Sequence, residues 1–252
     1  MVKEIIHSIN AEILILYKST YVKIVLVLSV LLCLYAVNLS SFIFDRVPLY
    51  YTSQLLMASL VLGVFAIILV SAFLCGNEFA CNTWGIRLSG SKRIIAFSSK
   101  LSAVILSSIV ITFIYCIVGV YFDFASTNAD GGSIVVLLSQ YLIVCSMHIF
   151  WGTVAFILAM LLKSTWSSFV ICLIYYYFEQ VLSAVLPLNI KSLLPVYSMQ
   201  GIIYHFFDQT GAFGFDQNAY RSMLHSTVVF TVYLAALLTL LRYLLKKRQF
   251  DA

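Results

Sequence analysis

Charged side chains are scarce in this sequence. Only 10% of its 252 residues are Asp, Glu, Lys or Arg, whereas 62% are hydrophobic, and the mean hydropathy is +1.02. Soluble domains contain about 25% charged and about 45–50% apolar residues, and a chain of this length cannot bury so large an apolar share in one globule. The composition therefore excludes a soluble protein and indicates an integral membrane protein.

Sequence motifs for catalysis are also missing. Gly85 and Gly90 have the first spacing of a phosphate-binding loop, G-x-x-x-x-G-K-[ST], but Ser91 stands where the lysine is required. The chain contains no G-x-S-x-G, no HExxH and no CxxC. We therefore expect no ATPase site, no catalytic residue, and no metal or other cofactor held by this chain.

Long apolar runs predict six membrane-spanning helices. A spanning helix needs about 20 mostly apolar residues. The fourth run is longer than a straight crossing of about 30 Å requires, so we expect either tilt or a break near Gly152. The fold class is all-α, with one membrane domain over residues 1–252. The six runs cover residues 24–44, 54–75, 101–122, 134–162, 165–186 and 225–245.

Basic residues predict the orientation of these spans. Twelve of the 15 Lys and Arg residues fall on the side of the two termini, and only Arg46, Lys191 and Arg221 fall on the other. Cytoplasmic loops are enriched in Lys and Arg, so we expect both termini in the cytoplasm and the protein in the plasma membrane. The net charge of +5 then reflects topology and contact with anionic lipids. Nucleic-acid binding is not expected, because the basic residues are scattered.

Cysteine use fits a membrane protein without disulfides. Six cysteines are present, but five lie within or at the ends of predicted spans and Cys81 lies in a predicted cytoplasmic loop. We expect free thiols that pack as small hydrophobic groups. The five cysteines in the spans are Cys33, Cys75, Cys116, Cys145 and Cys172.

Two segments outside the spans have a helical pattern. In residues 1–22, Ile5, Ile9, Ile13 and Leu16 recur at helical spacing with charges on the other side, which predicts an amphipathic helix on the inner membrane surface. The external segment 187–224 contains two of the three prolines yet stays rich in apolar and aromatic residues. We expect it to form short, re-entrant-like helices that close the outer side as a gate, including two turns over 199–207.

The cytoplasmic loop 76–100 is the third structured segment. We predict a short helix capped by Asn77 with Glu78 at its positive end, and a second helix that leads to Lys100. Between them, Trp84 and Leu88 stand among basic residues. Apolar side chains ringed by charge fit the groove of a partner, although they can also pack against the loop's own helices.

The order of residues in this loop resembles the first cytoplasmic loop of type-2 ATP-binding-cassette (ABC) exporter permeases. Where that family often has a proline after the small residues, this chain has Gly90-Ser91. The amphipathic start, the six spans and the last external segment are similar too, so the resemblance covers nearly the whole chain. The matching residues are Glu78-Phe79, Thr83-Trp84, Leu88-Ser89-Gly90, Arg93 and Lys100.

The resemblance implies a function for the loop and for the chain. The loop would seat in a cleft of a separate ATPase subunit, present in two copies, which would bind ATP and Mg. Two permease subunits, most simply a homodimer, would export a hydrophobic or amphipathic peptide from a bacterial cell, as permeases for bacteriocins, lantibiotics and phenol-soluble modulins do. The coupling residues implied are Glu78, Phe79, Thr83, Trp84, Arg87, Leu88 and Arg93.

Glu179 is the one acidic residue well inside a predicted span. Charge within a membrane is costly and usually faces protein or water. Glu179 is therefore expected either on the translocation path or at an outer gate with Lys191 or Arg221. A structural hydrogen bond to a Tyr or Ser of a neighbouring helix is the other interpretation.

His148, Tyr175 and Tyr176 complete the candidate path. His148 lies mid-span and is either a proton relay or a neutral, hydrogen-bonded packing residue. Tyr175 and Tyr176 belong to an aromatic run, of which we expect some rings to face lipid and others a subunit interface or a cavity. An alternative function is a secondary carrier or an intramembrane enzyme that uses Glu179 and His148.

Overall fold

The computed structural model describes residues 2–40, 50–80, 93–125, 134–207 and 221–246. All regular secondary structure in these ranges is helical. The helices, numbered along the chain, are α1 (Val2–Lys18), α2 (Thr20–Ser40), α3 (Tyr50–Ser59), α4 (Leu62–Ala80), α5 (Arg93–Ala125), α6 (Ile134–Leu162), α7 (Thr165–Val185), α8 (Leu188–Lys191), α9 (Pro195–Phe207) and α10 (Met223–Lys246).

Five of the described helices, namely α4, α5, α6, α7 and α10, are long and apolar enough to cross a membrane. A sixth span results if the bent pair α1 and α2 is counted as one, since its segments Ile6–Lys18 and Thr20–Tyr35 meet at 69°. The chain is therefore an all-helical protein of the membrane-embedded type.

Helix α6 is continuous, so of the two alternatives for this long run, tilt or a break near Gly152, the break is wrong. A Cβ at Gly152 would lie 2.9 Å from methyl carbons of both Ile67 and Val104. The glycine therefore lets α4 and α5 pack closely on α6. The turn after α6 takes two residues, with Lys163 left-handed at φ 50° and the Ser164 side chain capping α7.

The predicted span 54–75 is wrong as a single helix. Helix α3 ends at Ser59 and α4 begins at Leu62, with a turn between them. No proline stands there to interrupt the helix, so the break depends on partners from other helices, which are described below.

One end of the helix bundle contains buried Asp123 and the other contains buried Lys100, so the two are called the Asp123 end and the Lys100 end. Asp123, in the last turn of α5, is 4% exposed and binds the first turn of α3. Its oxygens accept from Tyr51 N at 2.9 Å, Thr52 N at 3.0 Å and Thr52 Oγ1 at 2.5 Å. A carboxylate here satisfies amides that have no partner within α3 and sits at its positive end.

The centre of the bundle is formed by α4 and α6, whereas α10 and α7 lie at its edge. Within an apolar 18-residue stretch of each candidate span, 67% of the residues are buried in α4 and in α6, against 28% in α7 and 17% in α10. The exposed sides of α2, α7 and α10 are apolar, as a lipid-facing surface requires. All five described cysteines are buried free thiols, as predicted, and Cys81 lies outside the described residues.

Two glycine contacts give a test of this packing. A Cβ at Gly119 would collide with the Thr52 backbone, whereas at Gly152 it meets only side-chain ends. We expect Gly119→Ala to lower the free energy of unfolding by about 1–3 kcal/mol. Gly152→Ala should cost less than Gly119→Ala, because the Ile67 and Val104 side chains shift more easily than the Thr52 backbone and alanine gains helix propensity. Denaturant unfolding in one detergent measures both, and the reverse order would contradict the packing described.

Candidate functional site

The break between α3 and α4 exposes backbone carbonyls that no helix satisfies, and His148 binds the first of them. Its Nε2 lies 2.9 Å from Ser59 O and its Nδ1 lies 2.7 Å from Thr112 Oγ1. A neutral ring with its proton on Nε2 fits both contacts. Gly63 makes room for this ring, because a Cβ there would lie 2.9 Å from Nε2.

Two tyrosines of α7 bind the next carbonyls of the break. The Tyr176 hydroxyl donates to Leu60 O, and the Tyr177 hydroxyl donates to Val61 O at 3.1 Å. Unsatisfied carbonyls at membrane depth cost several kcal/mol each. The break is therefore stabilised by α6 and α7 together, which position it within the bundle.

Glu179 caps the first turn of α9 from the neighbouring helix α7. It is 2% exposed, and its Oε1 accepts from Val196 N at 2.5 Å and Tyr197 N at 3.1 Å. Helix α9 begins at Pro195, a residue suited to the first position because it has no N–H to satisfy. The preceding Leu194 has no side-chain oxygen, so the cap comes from Glu179.

The basic residues expected beside Glu179 have other partners in the described part of the chain. Lys191 Nζ lies 5.0 Å from the centre of the Tyr197 ring. Arg221 donates to Asn189 Oδ1. Glu179 therefore meets backbone amides at the Asp123 end, a partner that neither interpretation of the sequence included.

A cavity of about 170 Å³ lies between the break, α6, α7 and α9. Its wall is apolar except for one hydroxyl, one indole and two amide groups. Tyr176, 4% exposed, belongs to this wall, whereas Tyr175, 47% exposed, lies on the outer side of α7. His148 and Glu179 hold the elements that form the wall. The lining residues are Met57, Leu60, Val61, Val64, Met147, Trp151, Tyr176, Gln180, Val196, Met199, Gln200 and Ile203.

A second cavity, of about 270 Å³, opens at the Lys100 end between α2, α4 and the turn from α6 to α7. Leu69 and Phe73 form part of its apolar wall, and Lys163 lies at its edge. Its position near the helix ends separates it from the break.

A buried cluster of three charges joins α1, α4 and α5. Lys100 is 1% exposed and donates to Glu12 Oε2 at 3.1 Å and to Leu74 O at 2.9 Å. Its Nζ also lies 2.9 Å from Glu78 Oε1. Buried charges are tolerated only with such partners, so the three helices are held in one arrangement at this end.

The cluster corrects two expectations from the sequence. Glu78 lies in the last turn of α4, which continues to Ala80, and not in the first turn of a new helix capped by Asn77. A carboxylate is disfavoured at this end of a helix, and Lys100 compensates. Glu12 faces inward and not toward the polar side of α1, and Ser8 Oγ donates to Ser99 Oγ at 2.9 Å beside it.

The remaining coupling residues lie around this cluster or outside the described ranges. Phe79 packs partly buried against the hydrophobic core, and Arg93 is the first residue of α5. Thr83, Trp84, Arg87 and Leu88 fall in the segment 81–92, which the structure does not describe.

The sequence analysis assigned no role to three residues of this region. Asp123 falls one residue beyond the predicted span, Tyr177 belongs to the aromatic run without a predicted partner, and Trp151 has the pattern of an ordinary apolar position. For the cap of α9, the sequence contains only an indirect signal. A helix that starts at Pro195 after a leucine has no local cap, so a carboxylate elsewhere in the chain must supply one.

Within the described ranges, no group of three or more His, Cys, Asp or Glu side chains is placed to hold a metal ion. No protein-family model matches the chain, and the search of curated proteins found no match.

Two substitutions of Glu179 test the cap. Leucine removes the acceptor, so we expect faster hydrogen–deuterium exchange at Val196 and Tyr197 and a loss of about 1–3 kcal/mol in unfolding free energy. Glutamine keeps one acceptor oxygen and should leave exchange close to wild type. Equal exchange in Glu179→Leu and the wild type would remove Glu179 from the cap.

Lys100→Met tests the buried cluster. The substitution removes the Nζ that both buried carboxylates contact, so we expect a loss of about 3–5 kcal/mol in unfolding free energy. Adding Glu12→Gln and Glu78→Gln to it should recover most of the loss, because no uncompensated charge remains. Denaturant unfolding of the two variants and the wild type decides. A single variant as stable as the wild type would show that the cluster contributes little.

Proposed function

We propose that this chain is the transmembrane subunit of a type-2 ABC exporter in the bacterial plasma membrane. It works as a pair, most simply a homodimer, with two copies of a separate ATPase subunit that binds ATP and Mg. The exported substrate is a hydrophobic or amphipathic peptide, and the chain itself performs no chemistry.

The observation that carries this proposal is the buried cluster around Lys100. Glu78 and Lys100 lie near the two ends of the segment 76–100, the loop that resembles the coupling loop of this family. Their contacts tie both ends of that loop to each other and to Glu12 of α1. A loop transmits force from a partner only if its base is stiff, and a desolvated ion cluster supplies that stiffness.

The distribution of charge supports cytoplasmic termini. Lys100, Lys163 and Arg242 lie at the Lys100 end, whereas Lys191 and Arg221 lie near α8 at the other end. With the uneven distribution of all 15 basic residues, this supports the Lys100 end as the cytoplasmic one. The segment 81–92 then faces the compartment that holds ATP.

The apolar cavity at the break supports an apolar or amphipathic substrate over a hydrophilic ion. No charged side chain of the described residues lines it, and both candidate ionisable residues of the alternative carrier or enzyme are engaged elsewhere. Among the described residues, His148 contacts Ser59 and Thr112, whereas Glu179 contacts the start of α9. The two share no partner, which favours the exporter over that alternative.

Purification of the tagged protein from its native membrane in mild detergent, with mass spectrometry and an ATPase assay, tests the proposal. We expect an ABC ATPase to co-purify. Trp84→Ala or Leu88→Asp should weaken this association at least about 30-fold, because loss of an interface anchor costs about 2 kcal/mol or more. The membrane domain should keep its wild-type unfolding transition.

Trp166→Ala is the matched control for Trp84→Ala. Trp166 is 61% exposed at the same end of the bundle but lies outside the loop, so the ATPase should be retained. Wild-type ATPase association and transport in both loop variants would contradict the coupling role. Transport in vesicles that lack ATP would contradict the exporter itself and favour the secondary carrier.

A further inference from the structure

The cavity of about 270 Å³ at the Lys100 end has an apolar floor and a polar rim. Val25 of α2 and Leu69 and Val70 of α4 belong to the floor. The rim contains Asn77, in the last turn of α4, and Lys163, in the turn from α6 to α7, and both are exposed. Leu69 and Asn77 are about 12 Å apart along α4. A ligand that contacts both parts is therefore amphipathic, with its polar group toward the end of the bundle.

The charge of the rim favours an anionic group. In the described part of the chain, Lys163 has no ion-pair partner, and no described Asp or Glu lines the cavity. The lysine stem is flexible, so its ammonium group follows a ligand at the rim without a fixed starting orientation. Basic pockets between spanning helices on the cytoplasmic side bind anionic lipid head groups.

Two exposed aromatic side chains favour a lipid over a soluble anion. Tyr21 of α2 is 59% exposed and Trp166 of α7 is 61% exposed, and both line the cavity. Tyr and Trp are enriched where a membrane meets water, which is the depth of lipid head groups. The Tyr21 ring also packs against Phe73, with 5.5 Å between ring centres. A free phosphate would leave this apolar surface uncovered.

The volume of the cavity fits part of one acyl chain. An apolar cavity of about 150 Å³ in another protein holds one benzene molecule, so about 270 Å³ accommodates about ten carbon atoms. The rest of a phospholipid must lie outside the cavity, where α2 and α7 present exposed apolar side chains. These are Ile24 and Leu28 on α2 and Val170 and Ile174 on α7.

We propose that this cavity binds one anionic phospholipid of the inner leaflet. Part of an acyl chain lies on Leu69, Val70 and Phe73, and the phosphate lies at the rim within reach of Lys163. The lipid fills the space between α2 and α7 on the surface of α4. Only the assignment to the inner leaflet rests on the proposed function, because it takes the Lys100 end as cytoplasmic. The site itself requires neither an exported substrate nor an ATPase.

Photo-crosslinking of the purified full-length protein in phosphatidylcholine nanodiscs tests this site. The probe is a phosphatidylglycerol with a diazirine on one acyl chain. We expect saturable adducts on the cavity-lining residues of α2, α4 and α7, which unlabelled phosphatidylglycerol in the nanodisc displaces. A phosphatidylcholine with the same diazirine should label these residues at least about five-fold less, because it carries no net charge. Glycerol phosphate in solution, the soluble head group, should not displace the probe.

Substitutions then test the two parts of the cavity. Lys163→Gln removes the charge and should lower the affinity for the probe about five-fold, the effect of one basic residue near a membrane surface. Lys23→Gln is the matched control and should leave labelling unchanged. Lys23 is also an exposed lysine and follows Tyr21 and Val22 of the cavity wall, but it does not line the cavity. Leu69→Trp fills the floor and should remove the adducts there.

Four results would overturn the site. They are equal labelling by the two diazirine lipids, displacement of the probe by glycerol phosphate, unchanged labelling in Lys163→Gln, and an equal loss of labelling in Lys163→Gln and Lys23→Gln. Disulfide-linked dimers of Trp166→Cys without adducts in the cavity would assign this surface to a second copy of the chain and would also refute the lipid. Because no ATP is present, these results leave the co-purification test of the exporter independent.

Discussion

The architecture depends on how backbone groups at helix ends are satisfied inside an apolar bundle. Water is not available there, so each interrupted helix needs a polar side chain from another helix. Asp123 binds the start of α3, Glu179 binds the start of α9, and His148 with Tyr176 and Tyr177 binds the end of α3. Each such contact fixes two helices relative to one another, and Tyr176 also lines the cavity at the break.

The hydrophobic runs of the sequence predict most of the helices, but they predict few of the positions at which a helix is interrupted. The boundary between α6 and α7 follows from the sequence because Lys163 and Ser164 interrupt two apolar runs at the only place where both can end. The break after Ser59 does not, since residues 59–62 are as apolar as their neighbours and its hydrogen bonds come from residues about 90 and 116 positions later. Glu179 was identified as a special position from the cost of intramembrane charge, but its partner was not, because a backbone amide has no sequence signature.

The buried cluster at Lys100 is a second feature that the spacing of residues within a single helix does not predict. Helical spacing assigned Glu12 to the polar side of α1, yet it is buried because its partner lies 88 residues away on α5. The same contact links the start of the chain to the flanks of the proposed coupling loop. The proposed ATP-driven change of packing requires two properties. One is stiffness at the Lys100 end, and the other is the interrupted and capped pair of helices α3 and α4 toward the Asp123 end.

The two carboxylate caps also differ in the order of their synthesis. Glu179 precedes Val196 by 17 residues, so α9 emerges from the ribosome with its cap already made. Tyr51 precedes Asp123 by 72 residues, which at about 5–20 residues per second corresponds to about 4–14 seconds of translation. During that interval the first turn of α3 has no carboxylate partner. The first amides of α3 therefore need another acceptor until α5 has been made.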